Sequence, residues 1–388
     1  MKSLTQANGE GLERTQAIGL MKAEGAQLLE LMHAAAELRE GAKGRVVTYS
    51  RKVFIPLTTY CRDDCGYCTF KRDPGQPGAG YLSPGEVLEI ARRGREQGCK
   101  EALFSLGDKP ELRFPEAAAA LGRLGHRTTA GYLAEMCRLV LDETGLLPHP
   151  NPGTLSRKEI GALRQASGSM GVMLENLSPR MQHPGMPHEH APDKKPGARL
   201  ANLRFAGEMR FPFTTGLLIG IGETVEERVD TLCKIREIHQ RYGHIQEVII
   251  QNFRAKPGIP MADTPDATLT DLLRTIAVAR LVLGGDMNIQ APPNLSPEAY
   301  PMLLLAGIND WGGISPVTPD HINPEAPWPQ IEELARRCAE VGYTLRERLT
   351  VYPEYITQKE GFVPAALQAP VARLADSEGY ARASSLPA

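Results

Sequence analysis

The chain has 388 residues, of which 42% are hydrophobic and 23% are charged, as in a globular protein with a large core. A formal net charge of −2 leaves no global basic field that would collect nucleic acid or an anionic membrane. No stretch approaches 18 consecutive apolar residues, and the start, MKSLTQANGEGLERTQ, lacks the apolar core of a secretion signal. We therefore expect a cytoplasmic protein with a small-molecule partner.

The first predicted element is a lead-in helix over residues 16–40. Its apolar side chains recur close to the period of one helical face, and we expect them to serve packing alone. These side chains are Leu28, Met32, Ala35 and Leu38. The apolar run KVFIPL then predicts the first strand, and TTYCRDDCGYCTF follows that run directly.

Helical and strand signals alternate along the rest of the chain. Three helix starts are marked by capping boxes, in which a Ser or Thr and a Glu three residues later satisfy free N–H groups. The pairs are Ser83 with Glu86, Ser156 with Glu159, and Thr224 with Glu227. Short apolar runs between the helices predict seven more strands: EALFSL, GLLPHP, GVMLEN, FTTGLLIG, IQEVIIQ, DMNIQA and INDWGG.

Eight strands separated by helices favour an α/β fold with parallel pairing, namely a closed (β/α)8 TIM-type barrel, with an open partial barrel as the alternative. Prolines and glycines weaken the strand propensity of GLLPHP and INDWGG. We divide the chain into an N-terminal helical extension (1–45), a barrel domain (46–352) and a C-terminal tail (353–388). The end of the tail, PVARLADSEGYARASSLPA, is polar and small enough to fray.

The most polar interior segment is SPRMQHPGMPHEHAPDKKPGAR, residues 178–199. A loop this long is often functional when it lies at the carboxyl-terminal face of a barrel. Its histidines, His183, His188 and His190, suggest either a second metal site or a solvated loop. We expect the solvated loop.

Three of the seven cysteines, Cys61, Cys65 and Cys68, lie within eight residues. The odd total favours thiols or metal ligation over a disulfide framework. A closed zinc site normally takes four protein ligands, and an electron-transfer iron–sulfur cluster usually takes four thiolates. Three local thiolates leave one iron without a cysteine, and that position is free to bind a substrate. A zinc or ferredoxin-like site, completed by a distant cysteine, remains as an alternative. The isolated cysteines are Cys99, Cys137, Cys233 and Cys338.

The spacing CxxxCxxC, with Tyr67 before the last cysteine, resembles the signature of the radical S-adenosylmethionine (radical SAM) enzymes. The resemblance implies a 4Fe–4S cluster held by Cys61, Cys65 and Cys68, whose unique iron chelates the amino and carboxylate groups of SAM. It also implies reductive cleavage of SAM to a 5'-deoxyadenosyl radical that abstracts hydrogen. Such a radical needs a dry, enclosed chamber, and a barrel whose first strand delivers the cysteine loop to its mouth provides one.

The same resemblance places further cofactor contacts after later strands. In SLGDKPE, Gly107 lets the backbone approach closely, and Asp108 can accept a hydrogen bond from the SAM ammonium, although the motif is GDKPE where the family more commonly has GGEP. In MLENLS, Glu175 and Asn176 are candidates for the ribose or the SAM head group. GLLIGIGET resembles the segment that lies against adenine. The full set of expected cofactor contacts is Tyr67, Gly107, Asp108, Glu175, Asn176, Gly220 and Gly222.

A finer resemblance, over about residues 45–350, is to the CofG family of 7,8-didemethyl-8-hydroxy-5-deazariboflavin (Fo) synthase subunits. YSRKVFIPLTTYCRDDCGYCTF, LENLSPRM, QNFRAKPG and NDWGGISPVTPDHINPEAPWP carry it. It implies coenzyme F420 biosynthesis: an adduct supplied by a CofH-type enzyme is cyclised with release of ammonia, and an external electron donor is required. The single cysteine triad indicates a stand-alone subunit. Alternatives are a CofH-like or aminofutalosine-pathway radical SAM enzyme, or a non-catalytic iron–sulfur electron carrier.

Polar residues near the strand ends are candidates for contact with a uracil and a ribityl chain. None of them is assigned as a general acid or base, so the catalytic residues are unknown at this stage. The candidates are Tyr49, Ser50, Arg51, His149, Asn151, Gln251, Asn252, Arg254, Asn309, Asp310 and Trp311.

Overall fold

The computed structural model describes residues 12–383, in which nine strands form one sheet. The first eleven residues of the expected N-terminal extension and the last five of the expected tail lie outside the described residues. The strands are β1 (Val46–Thr58), β2 (Glu101–Leu106), β3 (Leu147–Asn151), β4 (Met170–Gly171), β5 (Phe213–Ile219), β6 (Ile245–Asn252), β7 (Ile289–Gln290), β8 (Asp310–Ile314) and β9 (Thr344–Glu347).

Helices lie between the strands and at both ends of the described chain. They are α1 (Arg14–Leu20), α2 (Gly25–Lys43), α3 (Pro84–Glu96), α4 (Pro115–Arg123), α5 (Thr129–Thr144), α6 (Arg157–Arg164), α7 (Pro196–Glu208), α8 (Val225–Tyr242), α9 (Leu269–Leu283), α10 (Tyr300–Leu305), α11 (Ile331–Glu340), α12 (Pro353–Thr357) and α13 (Ala365–Leu374). All three predicted capping boxes are present, at the starts of α3, α6 and α8.

The strand order is β3-β2-β1-β8-β7-β6-β5-β4, every pairing is parallel, and β9 adds to β1. The predicted α/β barrel is therefore confirmed as a nearly closed (β/α)8 barrel. Within residues 12–383, no ladder joins β3 to β4.

The gap in the barrel follows from the sequence of β3, LPHPN. Leu147 donates its N–H to the Lys100 carbonyl on the β2 side, at 2.9 Å. The alternate residues, Pro148 and Pro150, face the β4 side and have no N–H to donate. The run GLLPHP therefore does form a strand, and its prolines place that strand at the edge of the sheet.

Two predicted strands are much shorter than their apolar runs. β4 is Met170–Gly171, so only the first residue of the run GVMLEN belongs to it. Later residues of the run still donate backbone N–H groups to β5, Val172 to the Thr214 carbonyl at 3.0 Å and Glu175 to the Gly216 carbonyl at 2.8 Å. DMNIQA likewise shortens to the two residues of β7, whereas INDWGG forms β8 as expected.

The predicted lead-in helix is two helices, so the expectation of one element over 16–40 was wrong. α1 ends at Leu20, and α2 starts at Gly25, whose φ of 51° is incompatible with a continuous right-handed helix. The predicted face is correct within α2, where Leu28, Met32 and Ala35 are buried against the barrel's outer helices.

The segment after β9 is ordered as far as residue 383, so residues 370–383 do not fray as expected, and the last five residues of the tail lie outside the described residues. In α13, Leu367 and Val371 pack against Leu147 and Leu349. The backbone of residues 348–352 crosses the amino-terminal end of the barrel, where the Thr350 carbonyl accepts hydrogen bonds from β6 and from the start of β4. Burial of this apolar face explains the order, which the polar composition concealed.

No helix in the described part of the chain has both the length and the apolar character needed to cross a membrane.

The contact of α3 with β1 predicts the effect of one substitution. A Cβ on Gly94 would lie 2.7 Å from two carbon atoms of Val53, so Gly94→Ala should cost about 1–3 kcal/mol through overpacking. Gly41→Ala in α2 is the matched control, because nothing lies within 4 Å of its Cβ, and the helix should gain about 0.5–1 kcal/mol. Thermal melting at one scan rate measures both; a Gly94→Ala midpoint at or above the wild-type value contradicts this packing.

Candidate active site

The barrel encloses a cavity of 350 Å³ that extends from the cysteine loop to the floor closed by residues 348–352. Active sites of such barrels are built at the carboxyl ends of the strands, and the cysteine loop leaves the carboxyl end of β1. A cavity of this size is within the range of small-molecule sites.

Cys61, Cys65 and Cys68 all line this cavity and are free thiols. The other four cysteines lie within the described residues, and none of them lines the cavity. Enclosure by protein raises the pKa of Cys61 to about 12 and that of Cys65 well above its ordinary value. Thiolates here need a neighbouring cation, which the iron atoms of a cluster supply. The donor set thus fits a cluster with three protein ligands.

The turn after β2 lies against the first cysteine. A Cβ on Gly107 would lie 1.9 Å from the Tyr60 carbonyl oxygen, so only glycine fits there. The next residue, Asp108, donates its backbone N–H to Cys61 Sγ at 3.3 Å, a hydrogen bond of the kind that stabilises cluster thiolates.

The Asp108 side chain is buried. Oδ2 accepts from the Thr154 N–H at 2.9 Å, whereas Oδ1 has no hydrogen-bond partner and lies 3.4 Å from Lys109 Nζ. Burial raises the pKa of Asp108 to about 6. A buried acceptor beside the cysteine loop is suited to an ammonium group, and contact of Asp108 with SAM stays a prediction.

Glu175 organises the opposite wall of the cavity. Tyr67 donates its hydroxyl to Glu175 and lies 3.0 Å from His188 Nε2, while Lys194 forms an ion pair with Glu175. Burial raises the pKa of Glu175, but the Lys194 charge and the hydrogen bond from His188 outweigh it and hold the pKa well below its usual range. Arg199 lies 4.0 Å away and adds to this field.

Sequence reasoning missed the contacts of His188 and Lys194 with Glu175. His188 is buried against Tyr67 and Glu175, so the expectation of a solvated loop was wrong at this position. His183 and His190 are exposed, and the three histidines form no metal-binding group in the described structure. The length of the 178–199 loop was the sequence feature that could have indicated a functional role for these two residues.

Asn176, Gly220 and Gly222 do not line the cavity as Tyr67 and Glu175 do. The Asn176 Oδ1 accepts from the Ser178 N–H at 2.7 Å, and Gly220 donates its N–H to Glu223 at 2.9 Å. Both glycines have left-handed φ angles, of 87° and 97°. Their role in cofactor binding stays a prediction.

Charged side chains cover the floor of the cavity. Lys52 of β1 forms an ion pair with Glu101 of β2 at 2.7 Å. Arg348 contacts Asp310 through two hydrogen bonds, of 2.6 and 2.9 Å, and lies 3.3 Å from Glu247. Sequence patterns marked only Asp310 among these five residues, because charged side chains in strands carry no local signal of a shared interior.

About half of the candidate substrate contacts reach the cavity. Those that line it are His149, Asn151, Gln251, Asn252 and Arg254. Those that do not are Tyr49, Ser50, Arg51, Asn309, Asp310 and Trp311.

Known proteins share this fold and this motif. The model of the radical SAM superfamily matches residues 55–235. The structure superposes on the FeFe-hydrogenase maturase HydG from Carboxydothermus hydrogenoformans with a TM-score of 0.72 at 18% identity, covering 95% of this chain and 81% of HydG. It also superposes on methylornithine synthase (PylB) with a TM-score of 0.67 at 19% identity, covering 89% of this chain and 96% of PylB. The class defined by fold and site is that of the radical SAM enzymes, which bind a 4Fe–4S cluster and SAM.

Proteins similar in sequence show to which family within the radical SAM class the chain belongs. The chain is 54% identical over 337 residues to 7,8-didemethyl-8-hydroxy-5-deazariboflavin synthase of Methanopyrus kandleri, covering 87% of this chain and 100% of that protein. It is 49% identical over 392 residues to FO synthase of Mycobacterium tuberculosis, covering 97% of this chain and 46% of that protein. The chain therefore belongs to the Fo synthase family, and it spans about half the length of the mycobacterial relatives.

The thiol geometry predicts a difference among the cysteines. After anaerobic reconstitution, Cys61→Ala, Cys65→Ala and Cys68→Ala should each lose the iron that the wild-type chain takes up, because each removes one of three thiolates. Cys233→Ala is the control, since Cys233 lies on α8 away from the cavity. Iron analysis measures the outcome, and full iron content in any of the three variants contradicts the assignment.

The Glu175 network predicts a pH-dependent loss of stability. Lys194→Met leaves a buried carboxylate without its main charge partner and should cost about 3–5 kcal/mol near neutral pH. In the wild type the lowered pKa of Glu175 gives stability that is present above the ordinary glutamate pKa and is lost only as pH falls through the lowered value.

In the Lys194→Met variant, burial favours protonated Glu175, so the difference from wild type should shrink as pH falls. Thermal melting across a pH series measures this. Lys195→Met is the control, because Lys195 is exposed. A destabilisation that is equal at every pH contradicts the network.

Proposed function

We propose that this chain catalyses the ring-closing step of Fo formation. The substrate is 5-amino-5-(4-hydroxybenzyl)-6-(D-ribitylimino)-5,6-dihydrouracil, and the reaction is a SAM-dependent cyclisation with release of ammonia, a carbon–nitrogen lyase activity. The observation that carries the proposal is the 54% identity to the Methanopyrus kandleri 7,8-didemethyl-8-hydroxy-5-deazariboflavin synthase, which this chain matches along that protein's whole length.

In this proposal Cys61, Cys65 and Cys68 hold the cluster, and Asp108 and Glu175 face SAM. When bound, the cluster and SAM supply a radical that abstracts hydrogen. The chain's own contribution is enclosure: the floor is closed by Arg348 and the segment after it, which keeps bulk water away from the chamber.

The lining of the cavity is complementary to the substrate's two ends. Phe54 and Trp328 stack with ring centroids 5.1 Å apart and offer an apolar wall to the hydroxybenzyl group. Asn151, Gln251 and Asn252 offer amide donors and acceptors to the uracil and the ribityl hydroxyls.

We also propose the partners. A CofH-type enzyme supplies the adduct, in line with the chain's match to about half of the longer FO synthases. An external donor supplies electrons. A cytoplasmic setting agrees with seven cysteines that all remain free thiols in the described structure.

The deciding experiment is an anaerobic assay of the reconstituted chain with SAM, a reductant and the CofH product. We expect fluorescent Fo and one 5'-deoxyadenosine per turnover. Deoxyadenosine without Fo rejects the substrate while keeping the radical class. Supplying tyrosine and 5-amino-6-ribitylaminouracil instead of the CofH product tests for a CofH-like activity. If the EPR signal of the cluster does not change when SAM is added, the result favours an electron carrier.

A further inference from the structure

The lowest layer of strand side chains that lines the cavity is polar. Lys52 of β1 pairs in register with Glu101 of β2, and Thr214 of β5 pairs with Glu247 of β6. All four side chains line the cavity. The interior of such a barrel is more commonly filled by branched apolar side chains. A polar layer that faces a cavity therefore indicates a site for a polar group.

Two glycines of β8 make room for long polar side chains at this depth. A Cβ on Gly313 would lie 2.4 Å from both Cδ and Cε of Lys52, and a Cβ on Gly312 would lie 2.2 Å from Nε2 of Gln290. Lys52 and Gln290 both line the cavity. Any larger residue at either glycine would displace a polar side chain from the interior.

The ammonium of Lys52 has unused hydrogen-bonding capacity. Its side chain is 7% exposed, and Glu101 Oε1, at 2.7 Å, is the only polar partner of Nζ within residues 12–383. An ammonium has three N–H donors, and buried donors without acceptors are costly. The other oxygen of Glu101, Oε2, accepts from Ser50 Oγ at 2.5 Å. Two N–H groups of Lys52 are therefore available to a ligand in the cavity.

The floor carries no excess of positive charge. Glu101 and Glu247 face the cavity, and Asp310 contacts Arg348. Each of the two floor cations, Lys52 and Arg348, already contacts a carboxylate. A bound phosphate would add negative charge to a buried site without a free cation to balance it. An uncharged polyol is suited, because each hydroxyl both donates and accepts.

The floor is distant from the cysteine loop. From Lys52 to the carboxyl end of β1 at Thr58 the strand runs for about 20 Å. The reacting carbons of the proposed substrate must lie next to SAM, and therefore near the cysteine loop. The part of the substrate that reaches the floor is then a side chain that takes no part in the bond changes.

We propose that the floor is the subsite for the ribityl chain, in which Lys52 and Glu101 bind the hydroxyls farthest from the ring and a chain that ends in phosphate is rejected. The proposal rests on the proposed function, because that substrate carries the chain. Only the ribityl chain offers successive hydroxyls that accept from an ammonium and donate to a carboxylate. The amides of Asn151, Gln251 and Asn252, at the carboxyl ends of β3 and β6, serve the uracil and the hydroxyl nearest to it.

The test compares two buried ion pairs of equal length. Lys52→Met removes the donor in the cavity. Lys100→Met is the control, because Lys100 is also 7% exposed and lies 2.7 Å from Glu347, but neither residue lines the cavity. For Lys52→Met we expect the KM of the ribityl adduct to rise about 10- to 100-fold, the effect of losing hydrogen bonds to a charged group. Its kcat should stay within about 3-fold, because these contacts are the same in the ground and transition states.

The substrate provides a second comparison, which needs no variant. One analogue of the adduct carries a methylimino group in place of the ribitylimino group, and another carries a phosphate on the last ribityl hydroxyl. With wild-type enzyme we expect both analogues to have a KM at least about 10-fold above that of the ribityl adduct. Lys100→Met should keep the preference for the ribityl over the methyl adduct, and Lys52→Met should lose most of it.

The outcomes separate the two proposals. If wild-type enzyme makes no Fo from the ribityl adduct, the proposed function fails. If it makes Fo but accepts the methyl or the phosphorylated adduct with the same KM, the ribityl subsite is wrong, even if Lys52→Met does not fold. A folded Lys52→Met variant with the wild-type preference for the ribityl adduct also overturns the subsite.

Discussion

The ion pair between Arg348 and Asp310 is the interaction on which the rest of the site depends. It joins the segment after β9 to the start of β8, with two hydrogen bonds at the amino-terminal end of the barrel. Burying two charges costs several kcal/mol of desolvation, and the pair recovers this only through close geometry. What the pair provides is a closed floor. Removal of either partner would leave the other as an uncompensated buried charge at this end of the barrel.

A second buried carboxylate holds the upper part of the cavity together. Glu175 follows β4, and it contacts Tyr67 of the cysteine loop and His188 and Lys194 of the 178–199 loop. These segments are distant in sequence, and none of them belongs to a long strand. The left-handed backbone at Glu175 aims its side chain across the cavity instead of along the sheet. The position of the cysteine loop relative to the opposite wall therefore depends on one strained residue and its charge partners.

The gap between β3 and β4 links architecture to chemistry. Pro148 and Pro150 prevent β3 from donating to β4, and the carbonyl of Pro148 accepts from the Gly168 N–H instead. Between the prolines, His149 turns its imidazole into the barrel next to Gly171. The same short sequence thus opens the barrel wall and places an imidazole in the interior.

The sequence by itself determined the features that depend on neighbours along the chain. Capping boxes, apolar runs and the CxxxCxxC spacing act within a few residues, so three helix starts, the eight barrel strands and the grouping of three thiols could be predicted, whereas β9 was missed. Only the tertiary structure decided which polar side chains share the cavity. Lys52 and Arg348 are almost 300 residues apart, and their meeting at the floor depends on barrel closure, which no local pattern encodes. The two-residue length of β4 and the burial of His188 were hidden for the same reason: pairing and desolvation are set by distant partners.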